Sequence, residues 1–337
     1  LTDNVTNIYG NHRKKVLLAV LLTYHSVINF KFGKETLKRG QVEMVEVGDT
    51  GQGKTQIFER IQKFTNLGQM ISGTSATLSG VAWSYHQVGS TWYLKWGAYP
   101  LNDGKLLFID EGQCIKEDEW NKLSSGRSDG IITASGIKAG EHYTRTRLIV
   151  SCNPLDNAPL DDSMCAVATL KPIFRPADIR RFDLAVFLSC SDEPTEDIDI
   201  PSDKRIRVKQ EITSEILHKS ICRAWTRAQN DVEFEQGAEA MVIRVTKLLK
   251  KKYEKAIDIP LITSCARHKV ARLSVALASL LHSTDTAYEK VIVTQEHVRF
   301  IGIYITELYD HINCSLDVYA SLRDEDTSLT DGDYFKV

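Results

Sequence analysis

A glycine-rich segment is the feature that most constrains how this chain folds. Residues 48–55 read Gly-Asp-Thr-Gly-Gln-Gly-Lys-Thr, which fits the phosphate-loop pattern G-x-x-x-x-G-K-[ST]. The segment follows an apolar run, residues 42–47, and precedes a helix-like stretch that begins at Gln56. A strand, a glycine-rich turn and a helix N-terminus in this order direct backbone N–H groups at a triphosphate. We therefore expect an ATP site in an α/β fold. Its candidate contacts are Gly48, Asp49, Thr50, Gly51, Gln52, Gly53, Lys54, Thr55 and Gln56.

Two carboxylates follow a second apolar run, residues 106–109. Beside a phosphate loop, the first of them, Asp110, is expected to hold Mg²⁺ together with the hydroxyl of Thr55. The second, Glu111, is expected to polarise the attacking water, while Lys54 bridges the terminal phosphates. An apolar run that ends in Asp-Glu is also an ordinary strand end, and the phosphate loop is what favours a catalytic role.

A third apolar run, residues 148–152, ends at Asn153 and Pro154. Parallel strands end at one edge of a sheet, so the amide of Asn153 is expected near the acidic pair, where it would orient the attacking water. Asn-Pro is also a turn-forming pair, and the sequence leaves both interpretations open.

Apolar runs separated by polar or helix-forming segments predict buried parallel strands. The runs are residues 42–47, 106–109, 148–152 and 184–188. An acidic stretch with two prolines, residues 191–204, is typical of a solvated connector. Beyond it, helical spacing of apolar residues predicts a mainly helical part. Those helical stretches are residues 211–230, 236–256, 264–282 and 294–312.

Composition excludes some classes of protein. The net charge of −2 argues against a protein that coats nucleic acid through bulk charge, so any such contact must be local. No apolar run approaches the ~20 residues of a membrane span, and we expect no membrane contact. The seven cysteines form no C-x-x-C pair, which favours buried reduced thiols over a zinc site or a disulfide framework.

The order of these motifs resembles the minichromosome maintenance (MCM) branch of the AAA+ ATPases, a family of hexameric DNA helicases. The resemblance fits a divergent bacterial, archaeal or mobile-element member. It implies an AAA+ three-layer parallel sheet with a C-terminal helical lid, ATP and Mg²⁺ as cofactors, and a homo-oligomeric ring of six subunits. The matching segments are Ile8-Tyr9-Gly10, the phosphate loop, residues 91–104, 138–140 and 151–154, Arg181-Phe182-Asp183-Leu184, and residues 262–276.

The acidic connector marks a domain boundary near residue 200, and the lack of an apolar run long enough for a membrane span bears on the location. The nucleotide-binding base would span residues 1–200, the helical lid residues 201–320 and a polar tail residues 321–337. In the family, an oligonucleotide-binding region precedes this module and a winged helix can follow it, so we expect a part of a longer protein. The location would be cytoplasmic, and associated with the nucleoid if the source is prokaryotic.

Individual residues take roles from the resemblance. Ile8 and Tyr9 belong to the entry motif before the nucleotide pocket. Arg181 matches the arginine finger, a guanidinium that reaches the γ-phosphate bound by the neighbouring subunit. Residues 112–114 are Gly-Gln-Cys where the family has Phe-Asp-Lys, so the support of the acidic pair is expected to differ.

The sensor-2 segment departs from the family pattern. Arg272 matches its second arginine, whereas Cys265 stands where the first belongs. Arg267 lies two positions further on. It either replaces the missing arginine or is a surface charge, and both roles stay open.

Two insertions correspond to hairpins that face the central channel in the family. They are residues 72–95 and residues 130–142, with Lys138 near the tip of the second. Lys138 is expected to meet a DNA phosphate. Trp83 and Tyr85 are candidate base-stacking residues, although aromatic side chains in hairpins serve packing as well.

Three functions fit these observations. The first is a motor that hydrolyses ATP at subunit interfaces and translocates on single-stranded DNA. The second is an AAA+ switch or remodeller that acts on a protein partner, which the near-neutral charge and the altered sensor 2 favour. The third is a ring subunit that hydrolyses ATP poorly, against which the full set of catalytic residues argues.

Overall fold

Helices and strands alternate along the first part of the chain and helices predominate in the second. The computed structural model describes residues 11–74, 78–192 and 212–325. The strands are β1 (Phe30–Phe32), β2 (Glu35–Leu37), β3 (Glu43–Gly48), β4 (Gln69–Ser72), β5 (Trp83–Val88), β6 (Thr91–Trp96), β7 (Leu106–Asp110), β8 (Ile131–Ala134), β9 (Gly140–Tyr143), β10 (Arg147–Cys152), β11 (Leu184–Leu188), β12 (Val232–Phe234) and β13 (Val291–Val293). The helices are α1 (Asn11–Tyr24), α2 (Lys54–Thr65), α3 (Leu78–Val81), α4 (Ala98–Leu101), α5 (Glu117–Asp129), α6 (Pro176–Ile179), α7 (Ser214–Trp225), α8 (Ala238–Tyr253), α9 (Ala266–Leu280), α10 (Gln295–Tyr309) and α11 (Leu316–Glu325).

A five-stranded parallel sheet forms the centre of the first part, with strand order β11-β3-β10-β7-β4. Strands β3, β10 and β11 are buried along their whole length, as β-branched and apolar runs in a parallel sheet should be. The predicted α/β AAA+ fold and its four predicted strands are confirmed. Strand β4 was not predicted, because its short and half-exposed sequence Gln-Met-Ile-Ser has no apolar run.

Helix α2 attaches the phosphate loop to the sheet. Its buried residues Ile57, Phe58 and Ile61 recur at helical spacing, and the ring of Phe58 stacks on Phe108 of β7 with centroids 4.3 Å apart. Helix α1 packs against β3, β10 and the lid helix α9. The first residues of α2 are therefore fixed at the carboxyl edge of the sheet.

The second part is helical, as its periodicity predicts. Helices α8, α9 and α10 pack on one another, and α9 is buried on nearly all sides from Lys269 to Ser279. The short parallel pair β12–β13 was not predicted. Helix α11 reaches Glu325, five residues into the predicted polar tail. The predicted domain boundary near residue 200 lies outside the described residues.

Two further observations concern composition. All seven cysteines are free thiols. Cys152, Cys165 and Cys314 are buried as expected and Cys222 and Cys265 are half-buried, but the expectation is wrong for Cys114 and Cys190, which are exposed. Each ends up at the surface because it sits in a one-turn segment just after a sheet strand. In the part of the chain that the structure describes, we find no helix with the length and apolar character that crossing a membrane requires.

Candidate nucleotide-binding site

The phosphate loop joins β3 to α2 in an open, left-handed conformation. Gly51 and Gly53 have φ of +86° and +73°, which glycine adopts without strain. A Cβ atom on Gly51 would meet nothing within 4 Å among the described residues, so the loop leaves open space in front of its backbone. The carboxylate of Asp49 accepts hydrogen bonds from the backbone N–H groups of Leu160 and Cys190, each at 2.9 Å. Asp49 therefore anchors the loop to two neighbouring segments.

Lys54 is the first residue of α2, directly after Gly53 of the phosphate loop. Its ammonium donates to the carbonyls of Gly48 and Asp49 at 2.6 and 2.9 Å, and to Oδ1 of Asn153 at 2.8 Å. Burial lowers the pKa of Lys54, and nearby carboxylates, Glu46 first, oppose that shift. The two backbone carbonyls and the amide oxygen that accept from Lys54 are neutral and therefore weaker acceptors than phosphate oxygens, so a triphosphate can replace them.

Thr55 and Asp110 form an oxygen-rich pair beside Lys54. The Thr55 hydroxyl lies 3.2 Å from both carboxylate oxygens of Asp110, and both residues remain partly accessible. Hydroxyl and carboxylate oxygens are the ligands that Mg²⁺ prefers, and the ion usually keeps waters and phosphate oxygens in its other positions. The donor set present here fits that ion.

Glu111 and Asn153 are joined directly. The side-chain amide of Asn153 donates to both oxygens of Glu111 at 3.1 Å, and Glu111 itself has φ of +53°. Gln113 completes the group, since its Nε2 donates to Glu111 while its Oε1 accepts the backbone N–H of Asn153 at 3.1 Å. Gln113 was not among the predicted site residues. One indication of its role was present in the sequence, because residues 112–114 differ from the family pattern directly after Glu111.

A buried carboxyl group, Glu46, lies beneath this site in β3. It stands opposite Ser151 in the sheet register, and its Oε1 has no hydrogen-bond partner among the described residues. Burial raises the pKa of Glu46 to about 7, against the opposing charge of Lys54. Sequence reasoning missed it, although an acid inside the apolar run of residues 42–47 is an available signal.

Helix α1 contributes a residue that the sequence did not indicate. Arg13 donates from Nη2 to Oε1 of Gln52 at 2.7 Å, which places a guanidinium against the phosphate loop. The predicted entry-motif contacts Ile8 and Tyr9 lie outside the described residues. Gln56 is exposed on the first turn of α2.

A second concave site, here called the basic pocket, has a volume of about 480 Å³. The residues of the phosphate loop are not among those that line it. Its basic lining residues are Lys38, Arg39, Arg180, Arg181, Lys269 and Arg272. The predicted arginine finger thus lies apart from the phosphate loop of its own chain.

Arg181 is about one-fifth exposed and is held by several acceptors. Its guanidinium donates to the hydroxyls of Ser124 and Ser128 at 2.5 and 3.1 Å and to the carbonyl of Ala177 at 2.9 Å. It also lies 3.3 Å from the buried carboxylate of Asp178. These contacts fix the direction in which Arg181 projects.

The two predicted sensor-2 residues have different surroundings. Arg272 donates from Nε and Nη2 to one oxygen of Asp183, Oδ1, at 2.9 and 2.5 Å, and Arg39 donates to the other oxygen, Oδ2, at 2.9 Å. Arg267 is exposed, with Glu35 at 3.9 Å. The structure therefore ties Arg272 into a buried ion pair and leaves Arg267 at the surface.

The two insertions form hairpins that pack together. The hydroxyl of Tyr85 donates to the carbonyl of Lys138 at 3.0 Å, and the ammonium of Lys138 lies 5.6 Å from the ring centroid of Tyr93. Trp83 is half-buried under the ammonium of Lys122. Lys138 itself is exposed in the turn between β8 and β9. Tyr85 and Trp83 thus make packing contacts, and Lys138 faces solvent.

Comparison with known proteins gives one family and several relatives. The MCM P-loop domain model matches residues 2–206, more than half of the chain. The chain is 30% identical over 185 residues to the "Probable DNA helicase MCM9" of Oryza sativa subsp. indica, which covers 54% of this chain and 26% of that protein. It is 24% identical over 294 residues to the protein of the same name from Arabidopsis thaliana, covering 86% and 44%.

An archaeal relative is similarly distant. The chain is 25% identical over 302 residues to the "Minichromosome maintenance protein MCM" of Saccharolobus solfataricus, covering 84% of this chain and 41% of that protein. The chain spans less than half the length of these curated relatives. The similarity nevertheless extends over both the sheet and the helical part.

Proposed function

Because this chain belongs to the MCM family, we propose that it is an ATP-driven motor module that hydrolyses ATP at subunit interfaces and translocates on single-stranded DNA. Its relatives in rice and Arabidopsis are named as DNA helicases, and the archaeal relative as a minichromosome maintenance protein. The proposal extends that activity to this chain, which corresponds to less than half of each relative.

One observation carries the proposal. The connected group Lys54, Asn153 and Glu111 lies beside Thr55 and Asp110, whereas Arg181 lies in the separate basic pocket. One chain therefore offers a phosphate loop and a water-orienting group on one surface and a guanidinium on another. A ring brings the guanidinium of one subunit to the phosphate loop of the next, and each active site is then built by two chains.

The chain's own residues have distinct tasks in this mechanism. Lys54 would exchange its carbonyl acceptors for phosphate oxygens, and Thr55 and Asp110 would hold Mg²⁺, which would neutralise phosphate charge. Glu111 polarises a water molecule that the amide of Asn153 orients against the terminal phosphate. Arg181 of the neighbouring subunit stabilises the charge that develops on the transferred group.

Lys138 is the proposed contact to DNA. The hairpin pair presents its exposed ammonium beside the ring of Tyr93, and a cation next to an aromatic face is typical of surfaces that bind single strands. The overall charge of −2 means that binding depends on such local groups.

A second candidate function is an AAA+ switch or remodeller that acts on a protein partner. The near-neutral net charge favours it, since DNA motors often carry a more basic surface. The nucleotide cycle would be the same, and the hairpins would contact protein instead of DNA.

The test compares ATP hydrolysis with and without single-stranded DNA in the chain and in Lys138→Ala. The motor proposal expects DNA to accelerate hydrolysis and Lys138→Ala to lose most of that acceleration. Lys247→Ala, which removes an exposed lysine of α8, is the matched control and should keep it. No acceleration in the parent would favour the remodeller, and equal acceleration in all three proteins would contradict the role of Lys138 as the DNA contact.

A further inference from the structure

The basic pocket holds several cations, but most are already engaged. Arg39 and Arg272 share the carboxylate of Asp183. The ammonium of Lys269 donates to the carbonyls of Phe182 and Leu261 at 2.5 and 2.7 Å. Buried cations bound in this way stabilise the junction between β11 and α9, and they cannot turn toward an anion without breaking it.

Arg180 differs from these neighbours. It is exposed, and the partner that the described part of the chain offers its guanidinium is the thiol of Cys265, with Nη2 and Sγ 3.0 Å apart. A thiol is a weak hydrogen-bond acceptor. A phosphate oxygen would bind the same guanidinium far more strongly, so little is lost when Arg180 leaves the thiol for a phosphate.

The guanidinium of Arg180 affects the pKa of the Cys265 thiol. Burial of Cys265 raises its pKa, but the hydrogen bond and charge of Arg180 act in the opposite direction and, with lesser contributions from Ser264 and Lys269, leave the pKa lowered. The positive charge of Arg180 thus lies next to Cys265, the residue that precedes α9.

Position 265 has a cysteine and no basic side chain. Cys265 stands at the N-terminal cap of α9, at the position where the family resemblance implies an arginine. Arg180, just after α6, brings its guanidinium to within 3.0 Å of the thiol at that position. The pocket therefore has an exposed guanidinium at this position, supplied by a different element.

We propose that Arg180 is a second catalytic arginine, which reaches the terminal phosphate bound by the neighbouring subunit from the same pocket as Arg181. This inference rests on the proposed function, because it assigns Arg180 to the same interface. Arg181 is held rigidly by two serines and Asp178, whereas Arg180 turns from the thiol to the phosphate when the interface closes.

The first test measures steady-state ATP hydrolysis by Arg180→Ala. We expect kcat to fall by on the order of 10²-fold with little change in KM, because the contact forms with charge that develops in the transition state. The thermal unfolding midpoint should not move, since the side chain is exposed. Arg244→Ala, which removes an exposed arginine of α8, is the control and should match the parent.

A relocation variant separates a catalytic from a structural role. In Arg180→Ala/Cys265→Arg the guanidinium returns to the pocket from α9, and we expect it to recover at least tenfold of the lost kcat. The double variant restores the cation but not the original contact with the thiol. A residue that only supports local structure would not be rescued in this way.

The outcomes distinguish this inference from the proposed function. Hydrolysis by Arg180→Ala within twofold of the parent, while Arg181→Ala is inactive, overturns the role of Arg180 alone. A loss in Arg180→Ala without any recovery in the double variant also overturns it. Normal hydrolysis by Arg181→Ala would instead overturn the two-subunit site on which the inference depends.

Discussion

At the scale of single residues, the side chains of the candidate nucleotide site are held in place by hydrogen bonds to one another. Asn153 bonds both Lys54 and Glu111, so one amide holds the cation that we propose meets phosphate and the carboxylate that we propose activates water. Preorganised groups of this kind need no rearrangement during the reaction. Gln113, at the carboxyl edge of the same sheet, holds the same two residues, since its side chain donates to Glu111 and accepts from the backbone N–H of Asn153.

Glu46 leads to a pH-dependent prediction. Because burial raises its pKa from 4.5 to about 7, the folded chain holds a proton that the unfolded chain releases. The stability that this group contributes is full below pH 4.5 and is lost as the pH rises through 7. Glu46→Gln cannot ionise, and we expect it to gain roughly 2 to 3 kcal/mol over the parent between pH 5 and pH 8.

Urea unfolding of both proteins at pH 5 and at pH 8 measures this difference. Groups that titrate equally in the two proteins cancel in the comparison. If Glu46→Gln and the parent differ by the same free energy at both pH values, then Glu46 titrates normally and the explanation by burial is wrong.

The residues that sequence alone indicated share one property. Lys54, Thr55, Asp110 and Asn153 follow strand runs that are readable from apolar periodicity, and parallel strands bring their carboxyl ends together. The contacts of Gln113 and Arg13 and the bond between Arg180 and Cys265 could not be predicted, because each depends on which segments meet in space. The single buried acid Glu46 was readable in principle, as a polar residue inside a strand.

At the scale of elements, the two hairpins behave as one unit. Tyr85 reaches across from β5 to the turn that carries Lys138, and a Cβ atom on Gly136 would lie 3.0 Å from the hydroxyl of Tyr85. The sequence predicted both hairpins and the tip position of Lys138. The sequence could not show whether Tyr85 stacks on bases or packs within the protein, because its role depends on the contacts that it makes with the second hairpin.

Tyr85→Phe tests whether Tyr85 positions Lys138. The variant keeps the ring and removes one hydrogen bond, so we expect the affinity for single-stranded DNA to weaken about 2- to 10-fold at fixed salt. Fluorescence anisotropy with a labelled oligonucleotide measures it. Tyr288→Phe alters an exposed tyrosine elsewhere and should bind as the parent does. Unchanged binding by Tyr85→Phe would contradict a positioning role.

The junction between the sheet and the lid is held by buried charges. Asp183 precedes β11 and binds Arg39 before β3 and Arg272 in α9. Its pKa is lowered because the charges of Arg272, Arg39 and Lys269 outweigh burial, which acts in the opposite direction. The pair therefore stabilises the fold at neutral pH and loses that effect only in acid, below the usual range of an aspartate.

Arg272→Ala separates a structural role from direct nucleotide contact. Removing one partner of a buried pair is expected to cost about 3 kcal/mol or more in the free energy of unfolding. A shift of the urea midpoint to lower concentration measures it. If the midpoint stays constant while hydrolysis is lost, Arg272 acts on the nucleotide as the sequence pattern predicted, and its bond to Asp183 is secondary.

At the scale of the whole molecule, the phosphate loop and the basic pocket are separate surfaces of one chain. The sequence predicted the family and the fold, since the motifs occur in family order and the central sheet has the expected parallel form. Assembly could be predicted only through the resemblance, because no local pattern states which surfaces meet. Completion of the site by a second subunit is therefore the central claim.

A mixing experiment tests this claim most directly. Lys54→Ala lacks a working phosphate loop but keeps Arg181, whereas Arg181→Ala has the opposite defect. Each variant alone should be inactive, and an equal mixture should recover about a quarter of parental ATP hydrolysis if subunits assort at random. If the mixture stays inactive although mass measurements show mixed oligomers, or if Arg181→Ala alone is active, the two-subunit site is wrong.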